Sequence, residues 1–142
     1  MTDHTLYLGL GSNLGDKEHN IREAIRRIEE LIGTVECQSA LYVTEPWGFQ
    51  SPHLFVNAAV RCRTQLSPRE VLRRTQQIER AMGRRHKGRT ADGTPRVYHD
   101  RTIDIDLLLY DQLTIDEPDL QIPQPLMHQR PFVMQPLSEV MD

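Results

Sequence analysis

Residues 101–110 read RTIDIDLLLY, a segment that is rich in Ile and Leu and contains neither Gly nor Pro. This composition is typical of a buried β-strand. Because side chains alternate between the two faces of a strand, one face is expected to carry Ile103, Ile105, Leu107 and Leu109. The other face is expected to carry Thr102, Asp104, Asp106 and Leu108. The segment therefore predicts a strand that presents two carboxylates on one side of a sheet.

Asp104 and Asp106 are predicted to lie roughly 6.6 Å apart along that strand, since a strand rises about 3.3 Å per residue. Carboxylate oxygens that converge to about 4 Å repel each other by roughly 4 kcal/mol at an effective dielectric constant of about 20. A cation offsets this repulsion, and hard carboxylate oxygens suit Mg²⁺, which often completes its shell with phosphate oxygens. The alternative is an edge strand with one solvated face.

The elements before this strand follow a regular order. Apolar periodicity predicts strands at 5–10, 34–44 and 54–64 and helices at 17–32 and 67–82. The second helix opens with Ser67-Pro68-Arg69-Glu70, a capping sequence. With 101–110 as the fourth strand, the order is β-α-β-β-α-β, which is that of ferredoxin-like folds.

The predicted fold class is therefore α+β, with a ferredoxin-like antiparallel sheet and both helices on one face. The other face is expected to be open for a site. Residues 112–142 are expected to form a C-terminal appendage, with a short strand at 113–116 and a helix near 128–139.

Size and charge narrow the function classes. The chain has 142 residues and a net charge of −3, which predicts one domain over residues 1–142 and argues against nucleic acid or an anionic membrane as partner. No apolar run approaches a membrane span or a signal-peptide core. Cys37 and Cys62 are expected to be core residues in a reducing cytoplasm. A monomer is expected, because no strong exposed apolar stripe remains once the core is assigned.

Residues 84–100 form a basic loop, with Arg84, Arg85, Lys87, Arg89 and Arg96, and Arg101 follows it. Clustered guanidinium groups beside paired carboxylates are typical of a polyphosphate site, with metal on one side of the phosphates and arginine on the other. A solvated basic loop is the alternative. RNA binding is disfavoured, because Tyr98 is the only aromatic residue in the loop.

A second group of residues suggests a pocket for a flat heteroaromatic ligand. Glu45, Pro46 and Trp47 precede Phe55 and Asn57, which lie on the strand face opposite the predicted core. A satellite hydrophobic cluster is the alternative. Gln76 and Glu79 share one face of the second helix, where they either bind a base or ribose or remain solvated.

Together these segments resemble the 6-hydroxymethyl-7,8-dihydropterin pyrophosphokinase family over essentially the whole chain. The matching motifs are LGLGSNLGD (8–16), YVTEPWG (42–48), LFVNAAV (54–60), QQIERAMGR (76–84), DRTIDIDLLLY (100–110) and HQRPFVMQPL (128–137). The resemblance implies a ferredoxin-like fold. It also implies transfer of the β,γ-pyrophosphoryl group of ATP to the pterin hydroxymethyl oxygen, which leaves AMP.

The resemblance also implies roles for individual residues. Asp104 and Asp106 would hold two Mg²⁺ ions, and Arg84 and Arg101 would clamp the phosphates; these four are the implied catalytic residues. The implied nucleotide-binding residues are Gln76, Glu79, Arg84, Arg101, Leu107 and Arg130. The implied pterin-binding residues are Thr44, Glu45, Pro46, Trp47, Phe55, Asn57 and Phe132, with Phe55 and Phe132 flanking the ring.

One departure from the family pattern is Gln124, which stands where the family usually has a His between two prolines. A contact from this position to the triphosphate is therefore an open question. Two rival functions follow from the same residues: a nucleotide- or pterin-binding module without chemistry, and a metal-dependent phosphohydrolase. Formation of AMP that depends on the aspartates would separate pyrophosphate transfer from the binding module, and release of inorganic phosphate without pterin would point to the phosphohydrolase.

Overall fold

The computed structural model of the protein describes residues 3–45, 54–83, 88–89, 95–96 and 102–141. The chain begins with β1 (His4–Ser12), α1 (Lys17–Leu31), β2 (Thr34–Gln38), β3 (Tyr42–Thr44), β4 (Phe55–Thr64) and α2 (Pro68–Ala81). It continues with β5 (Gly88–Arg89), β6 (Pro95–Arg96), β7 (Asp104–Tyr110), β8 (Ile115–Glu117) and β9 (Leu120–Ile122). A 3-10 helix (Met127–Gln129) and α3 (Pro131–Val140) follow.

The main sheet has the strand order β2-β4-β1-β7, and every neighbouring pair is antiparallel. β3 also pairs with β4 in antiparallel fashion. Two small hairpins, β5–β6 and β8–β9, lie outside this sheet. The predicted α+β class with an antiparallel sheet is confirmed.

The predicted strand at 34–44 is divided into β2 and β3 at Ser39. The backbone of Ser39 donates to the Ala59 carbonyl at 2.9 Å. Its hydroxyl accepts from the Ala59 N–H at 2.9 Å and donates to the Ala40 carbonyl at 2.7 Å. The prediction of one continuous strand is wrong here, because side-chain hydrogen bonds of Ser39 interrupt the ladder.

The first face of the sheet is covered by α1 and α2, whose ends are close to the predicted ones. The N-caps are Asp16, which accepts from the His19 N–H, and Ser67, which accepts from the Glu70 N–H, each at 3.2 Å. Both helices bury an apolar stripe against the sheet, and its members include Ile21, Ala24, Ile28, Val71 and Ile78. Cys62 lies in this core, and burial raises the pKa of its thiol to about 12.

The second face is partly covered by α3, so the prediction of an open face is wrong for this part of the sheet. Val133, Leu137 and Val140 pack against Ala59 and Leu108 and form a second core. Two hydrogen bonds hold the C-terminal end of α3: Arg61 Nη1 donates to the Val140 carbonyl and Glu139 Oε1 accepts from the Ala40 N–H, both at 2.8 Å. The appendage therefore forms a third layer.

A β-bulge in β7 reverses the sheet face on which the side chains after Leu108 lie. The β1 partners change register between Tyr7 and Leu8, which pair with Leu109 and Leu107, so that Leu108 is the extra residue. Beyond the bulge, Leu109 joins the second core and Tyr110 joins the first. The prediction that Leu109 shares a face with Leu107 is therefore wrong, whereas Asp104 and Asp106 precede the bulge and keep the predicted alternation.

Within the part of the chain that the structure describes, no helix is long and apolar enough to cross a membrane.

Candidate active site

The carboxylates of β7 lie beside glycines of β1. Gly9 pairs with Asp106 and Gly11 pairs with Asp104. Neither glycine carries a side chain over the sheet, so neighbouring side chains take that space: a Cβ atom on Gly9 would come within 3.3 Å of Leu108 Cδ1. A Cβ atom on Gly11 would come within 3.0 Å of Asn57 Oδ1 and 3.6 Å of Phe55 Cδ1. Alternating glycines within a strand are the sequence signal for such a close approach.

A cavity of about 520 Å³ opens at this position. It contacts both faces of β7, with Asp104 and Asp106 on one side and Ile105 and Leu107 on the other. The lining brings together the predicted site residues that the structure describes: Thr44, Glu45, Phe55, Asn57, Gln76, Glu79, Asp104, Asp106, Leu107, Arg130 and Phe132. The other predicted site residues, Pro46, Trp47, Arg84 and Arg101, lie outside the described residues.

Asp104 and Asp106 are both partly buried and both line the cavity. In the described ranges, no group of three or more His, Cys, Asp or Glu side chains is arranged to hold a metal ion. The carboxylate pair thus offers hard oxygen ligands but not a complete coordination shell. This donor set fits Mg²⁺, which commonly binds one or two carboxylates and takes further ligands from substrate phosphates and water.

Glu79 is the most deeply buried carboxylate of the cavity wall, with 2% of its surface exposed. Its Oε2 accepts a hydrogen bond of 2.8 Å from the backbone N–H of Ile105. Ile105 is the residue between Asp104 and Asp106, so this hydrogen bond joins helix α2 to β7 between the two aspartates. Gln76, one turn earlier on α2, also lines the cavity.

Asn57 is another cavity residue that is held in place by a hydrogen bond. It is 5% exposed, and its Nδ2 donates to Thr44 Oγ1 at 2.6 Å. Phe55 and Phe132 line the same cavity. The arrangement supplies an oriented amide and two aromatic side chains, the groups that bind a flat polar heterocycle.

Arg130 closes another part of the wall. It is 7% exposed, and its guanidinium carbon lies 6.0 Å from the centre of the Phe132 ring. A guanidinium group near an aromatic face at this distance makes a cation–π contact. The placement of Arg130 depends on α3, because this residue directly precedes the helix.

Gln124 also lines the cavity, although sequence analysis left its contact open. Its backbone N–H donates to the Leu108 carbonyl at 3.0 Å, so the residue is attached to β7. Its Oε1 is buried and has no hydrogen-bond partner among the described residues. Buried polar atoms usually have a partner, so this oxygen is an exception among the described residues.

The β8–β9 turn is a part of the wall that sequence analysis missed. Pro118, Asp119, Leu120 and Gln121 line the cavity, as do Leu72 and Gln76 of α2. Arg69, near the start of α2, donates to both carboxylate oxygens of Asp119 at 2.9 Å and also to Glu117. The hydrogen bond from Arg69 lowers the pKa of Asp119.

Comparison with known proteins relates this arrangement to enzymes. Residues 7–142 match the family model described as 7,8-dihydro-6-hydroxymethylpterin-pyrophosphokinase. The 2-amino-4-hydroxy-6-hydroxymethyldihydropteridine pyrophosphokinase of Porphyromonas gingivalis is 46% identical over 95% of this chain and 89% of its own length. The enzyme of the same name from Bacillus subtilis is 38% identical over 94% of this chain and 76% of its own length.

A solved structure gives a further likeness. A crystal structure of HPPK-DHPS in complex with substrates superposes with a TM-score of 0.76 at 13% identity. The match covers 99% of this chain and 40% of that chain. At this identity the likeness shows the fold alone.

The chain is therefore a diphosphate-transferring enzyme with an α+β fold. It belongs to the 7,8-dihydro-6-hydroxymethylpterin-pyrophosphokinase family. The activity of this family is transfer of pyrophosphate from ATP to 6-hydroxymethyl-7,8-dihydropterin in folate biosynthesis, with AMP as the second product. The resemblance inferred from the sequence motifs is confirmed.

Proposed function

We propose that this chain performs its pyrophosphoryl transfer with two Mg²⁺ ions held by Asp104 and Asp106. The observation that carries the proposal is that both carboxylates line one cavity with an oriented amide, Asn57, and with Arg130. Asp104 and Asp106 would hold the ions, whose positive charge would offset the negative charge that builds up on the phosphates during transfer. Asp104 and Asp106 supply the negative charge and the rigid strand that keep such ions in position.

The nucleotide is proposed to bind on the α2 side of the cavity. Gln76, Glu79 and Leu107 line the cavity, together with residues of the β8–β9 turn. Leu107 offers an apolar surface for a base, and the Gln76 amide offers a hydrogen-bond donor and an acceptor. Arg130 supplies a positive charge suited to phosphate.

The pterin is proposed to bind on the β4 side. Asn57 would pair with the edge of the heterocycle, because its hydrogen bond to Thr44 fixes the plane of the amide. Phe55 and Phe132 are proposed to flank the ring faces, as aromatic side chains do with flat ligands. Glu45 lines this part of the cavity, and Pro46 and Trp47 are proposed to complete the pocket from outside the described residues.

Arg84 and Arg101 are proposed to clamp the phosphates. The support comes from the family resemblance and from their sequence position, at the two ends of the basic loop that precedes β7. Their guanidinium groups would neutralise charge and orient the phosphate chain for in-line attack. In this mechanism catalysis depends on positioning and charge compensation.

We further propose a ferredoxin-like topology, because four antiparallel strands in the order β2-β4-β1-β7, separated by α1 and α2, fit the split β-α-β pattern. A single domain over residues 1–142, a monomeric state and a cytoplasmic location stay predictions. Sedimentation analysis tests the monomer.

The test of the proposed metal chemistry is an AMP assay with ATP, 6-hydroxymethyl-7,8-dihydropterin and varied Mg²⁺. Asp104→Asn and Asp106→Asn keep the side-chain shape but remove the charge, and each is expected to lower the rate by at least about 100-fold. Asp116→Asn, an exposed change on β8, is the matched control. Full activity of both active-site variants would refute the metal assignment, and phosphate release without pterin would indicate a phosphohydrolase.

A further inference from the structure

The hydrogen bond between Glu79 and Ile105 carries a further inference. The Ile105 backbone lies at the outer edge of β7, which is the terminal strand of the main sheet in the described chain. β1 pairs with β7 on one side only, with Leu10 opposite Ile105. An edge strand leaves alternate backbone amides without a ladder partner.

The Ile105 amide cannot rely on solvent for a partner, because the residue is only 5% exposed. Glu79 Oε2 supplies the acceptor at 2.8 Å. Buried backbone N–H groups are almost always paired. The Glu79 carboxylate therefore accepts the hydrogen bond that a backbone carbonyl of a neighbouring strand would otherwise accept. Glu79 reaches the amide from α2, a helix that is itself fixed in the first core by Val71 and Ile78.

We infer that Glu79 is a positioning residue that holds the peptide between Asp104 and Asp106 and thereby sets the orientation of the two carboxylates. The inference rests on the proposed function, since it assumes that these aspartates bind Mg²⁺. Side chains behind metal ligands commonly change metal affinity by about 10- to 100-fold when they are removed. Glu79 acts on the metal site through the strand and not through its own charge.

Two substitutions of Glu79 separate the effect of its side-chain length from the effect of its charge. Glu79→Gln keeps a carbonyl oxygen at the same reach but removes the charge. Glu79→Asp keeps the charge but shortens the side chain by one methylene, so that its oxygen no longer reaches the Ile105 amide. Glu70→Gln removes an exposed carboxylate from the same helix and is the matched control.

The first measurement is hydrogen–deuterium exchange of the Ile105 amide by NMR in the ligand-free protein. We expect Glu79→Gln and Glu70→Gln to exchange at close to the wild-type rate. In Glu79→Asp the Ile105 amide is expected to exchange at least about tenfold faster, since this amide has lost its buried acceptor. This measurement depends on neither catalysis nor pterin binding.

The second measurement is calorimetric titration with Mg²⁺ in the presence of a non-hydrolysable ATP analogue. Glu79→Asp is expected to weaken Mg²⁺ binding by about tenfold or more, and Glu79→Gln by much less. The reverse order, with Gln more damaging than Asp, would overturn the inference and make Glu79 a charge-bearing ligand contact. Unchanged Ile105 exchange in Glu79→Asp would overturn it as well.

Failure of the metal assignment can be distinguished from failure of the positioning role of Glu79. If Asp104→Asn leaves Mg²⁺ binding intact, the metal assignment fails, whatever Glu79 does. If Asp104→Asn abolishes Mg²⁺ binding and both Glu79 variants leave it unchanged, the metal assignment stands and the positioning role fails. Circular dichroism of each variant confirms that the compared proteins are folded.

Discussion

At the scale of single residues, Gly9 and Gly11 of β1 lie opposite the acidic pair of β7. Gly11 stands opposite Asp104 and leaves room for Asn57 and Phe55. The carboxylates, the amide and the aromatic ring can share one face of the sheet because the neighbouring strand contributes no side chain between them. A strand interior usually disfavours Gly, and the site provides the reason for it here.

Gly11→Ala tests this idea. The new Cβ would lie 3.0 Å from Asn57 Oδ1, so the amide must move and its 2.6 Å bond to Thr44 would weaken. We expect KM for the pterin to rise about five- to tenfold, equivalent to one neutral hydrogen bond, with a smaller effect on KM for ATP. Steady-state kinetics with each substrate varied checks the prediction. An unchanged KM for the pterin would contradict it.

Among secondary-structure elements, the β8–β9 hairpin forms one cavity wall and depends on α2 for its position. Arg69 of α2 binds Asp119 in the turn and Glu117 in β8. Leu120 and Ile122 anchor the other side of the hairpin in the first core. One ion-pair network and two apolar side chains thus set the distance between the turn and α2.

Arg69→Gln is expected to make the β8–β9 hairpin less firmly held against α2. We predict a severalfold rise in KM for ATP and faster amide exchange in β8 and β9, with Arg73→Gln, exposed on the same helix, as the control. Loss of ATP affinity without faster hairpin exchange would point to a direct contact between Arg69 and the nucleotide.

The same ion pair predicts a pH dependence of stability. Arg69 lowers the pKa of Asp119 from its ordinary value of 3.8, so the folded state binds the proton less readily than the unfolded state. The stabilisation is therefore fully present above pH 3.8 and is lost as the pH falls through the lower folded-state pKa. Urea midpoints of wild type and Arg69→Gln are expected to differ at neutral pH and to converge in acid. A constant difference would contradict this.

For the molecule as a whole, the third layer is the main feature that joins stability to the site. α3 covers the second face of the sheet, and its N-terminal end carries Arg130 and Phe132 into the cavity. The C-terminal end is fastened by Arg61 and Glu139. Packing of this one helix therefore both closes a hydrophobic core and places two cavity residues.

Leu137→Ala tests this coupling. Leu137 is 1% exposed in the second core, and its truncation is expected to lower the free energy of unfolding by about 2–5 kcal/mol. Leu113→Ala is the matched control, because Leu113 is 45% exposed and should cost far less. Urea denaturation followed by circular dichroism measures both. Equal losses for the two variants would show that α3 is not docked as described.

Local sequence was sufficient to predict the two long helices, α1 and α2. Asp16 and Ser67 act as N-caps, and apolar residues recur at helical spacing, so type and ends follow from contacts a few residues apart. The common facing of Asp104 and Asp106 likewise follows from the two-residue period of a strand. These predictions needed no knowledge of distant partners.

Long-range contacts accounted for the errors. The break at Ser39 arises from hydrogen bonds to Ala59 on another strand, and the bulge at Leu108 arises from pairing with β1. The packing of α3 on the second face of the sheet depends on the path that the chain takes after β9. None of these features has a local signature, since each depends on an interaction between segments far apart in the sequence.

The amino-acid order alone was enough to specify the element types, the acidic pair and the family, because periodicity, capping and motifs are short-range properties of the chain. Folding was needed to place Gly11 against Asn57, Glu79 against Ile105 and Gln124 on the cavity wall. Such neighbours come from strand register and layer packing. Both result from the simultaneous burial of all apolar faces, which no single segment encodes.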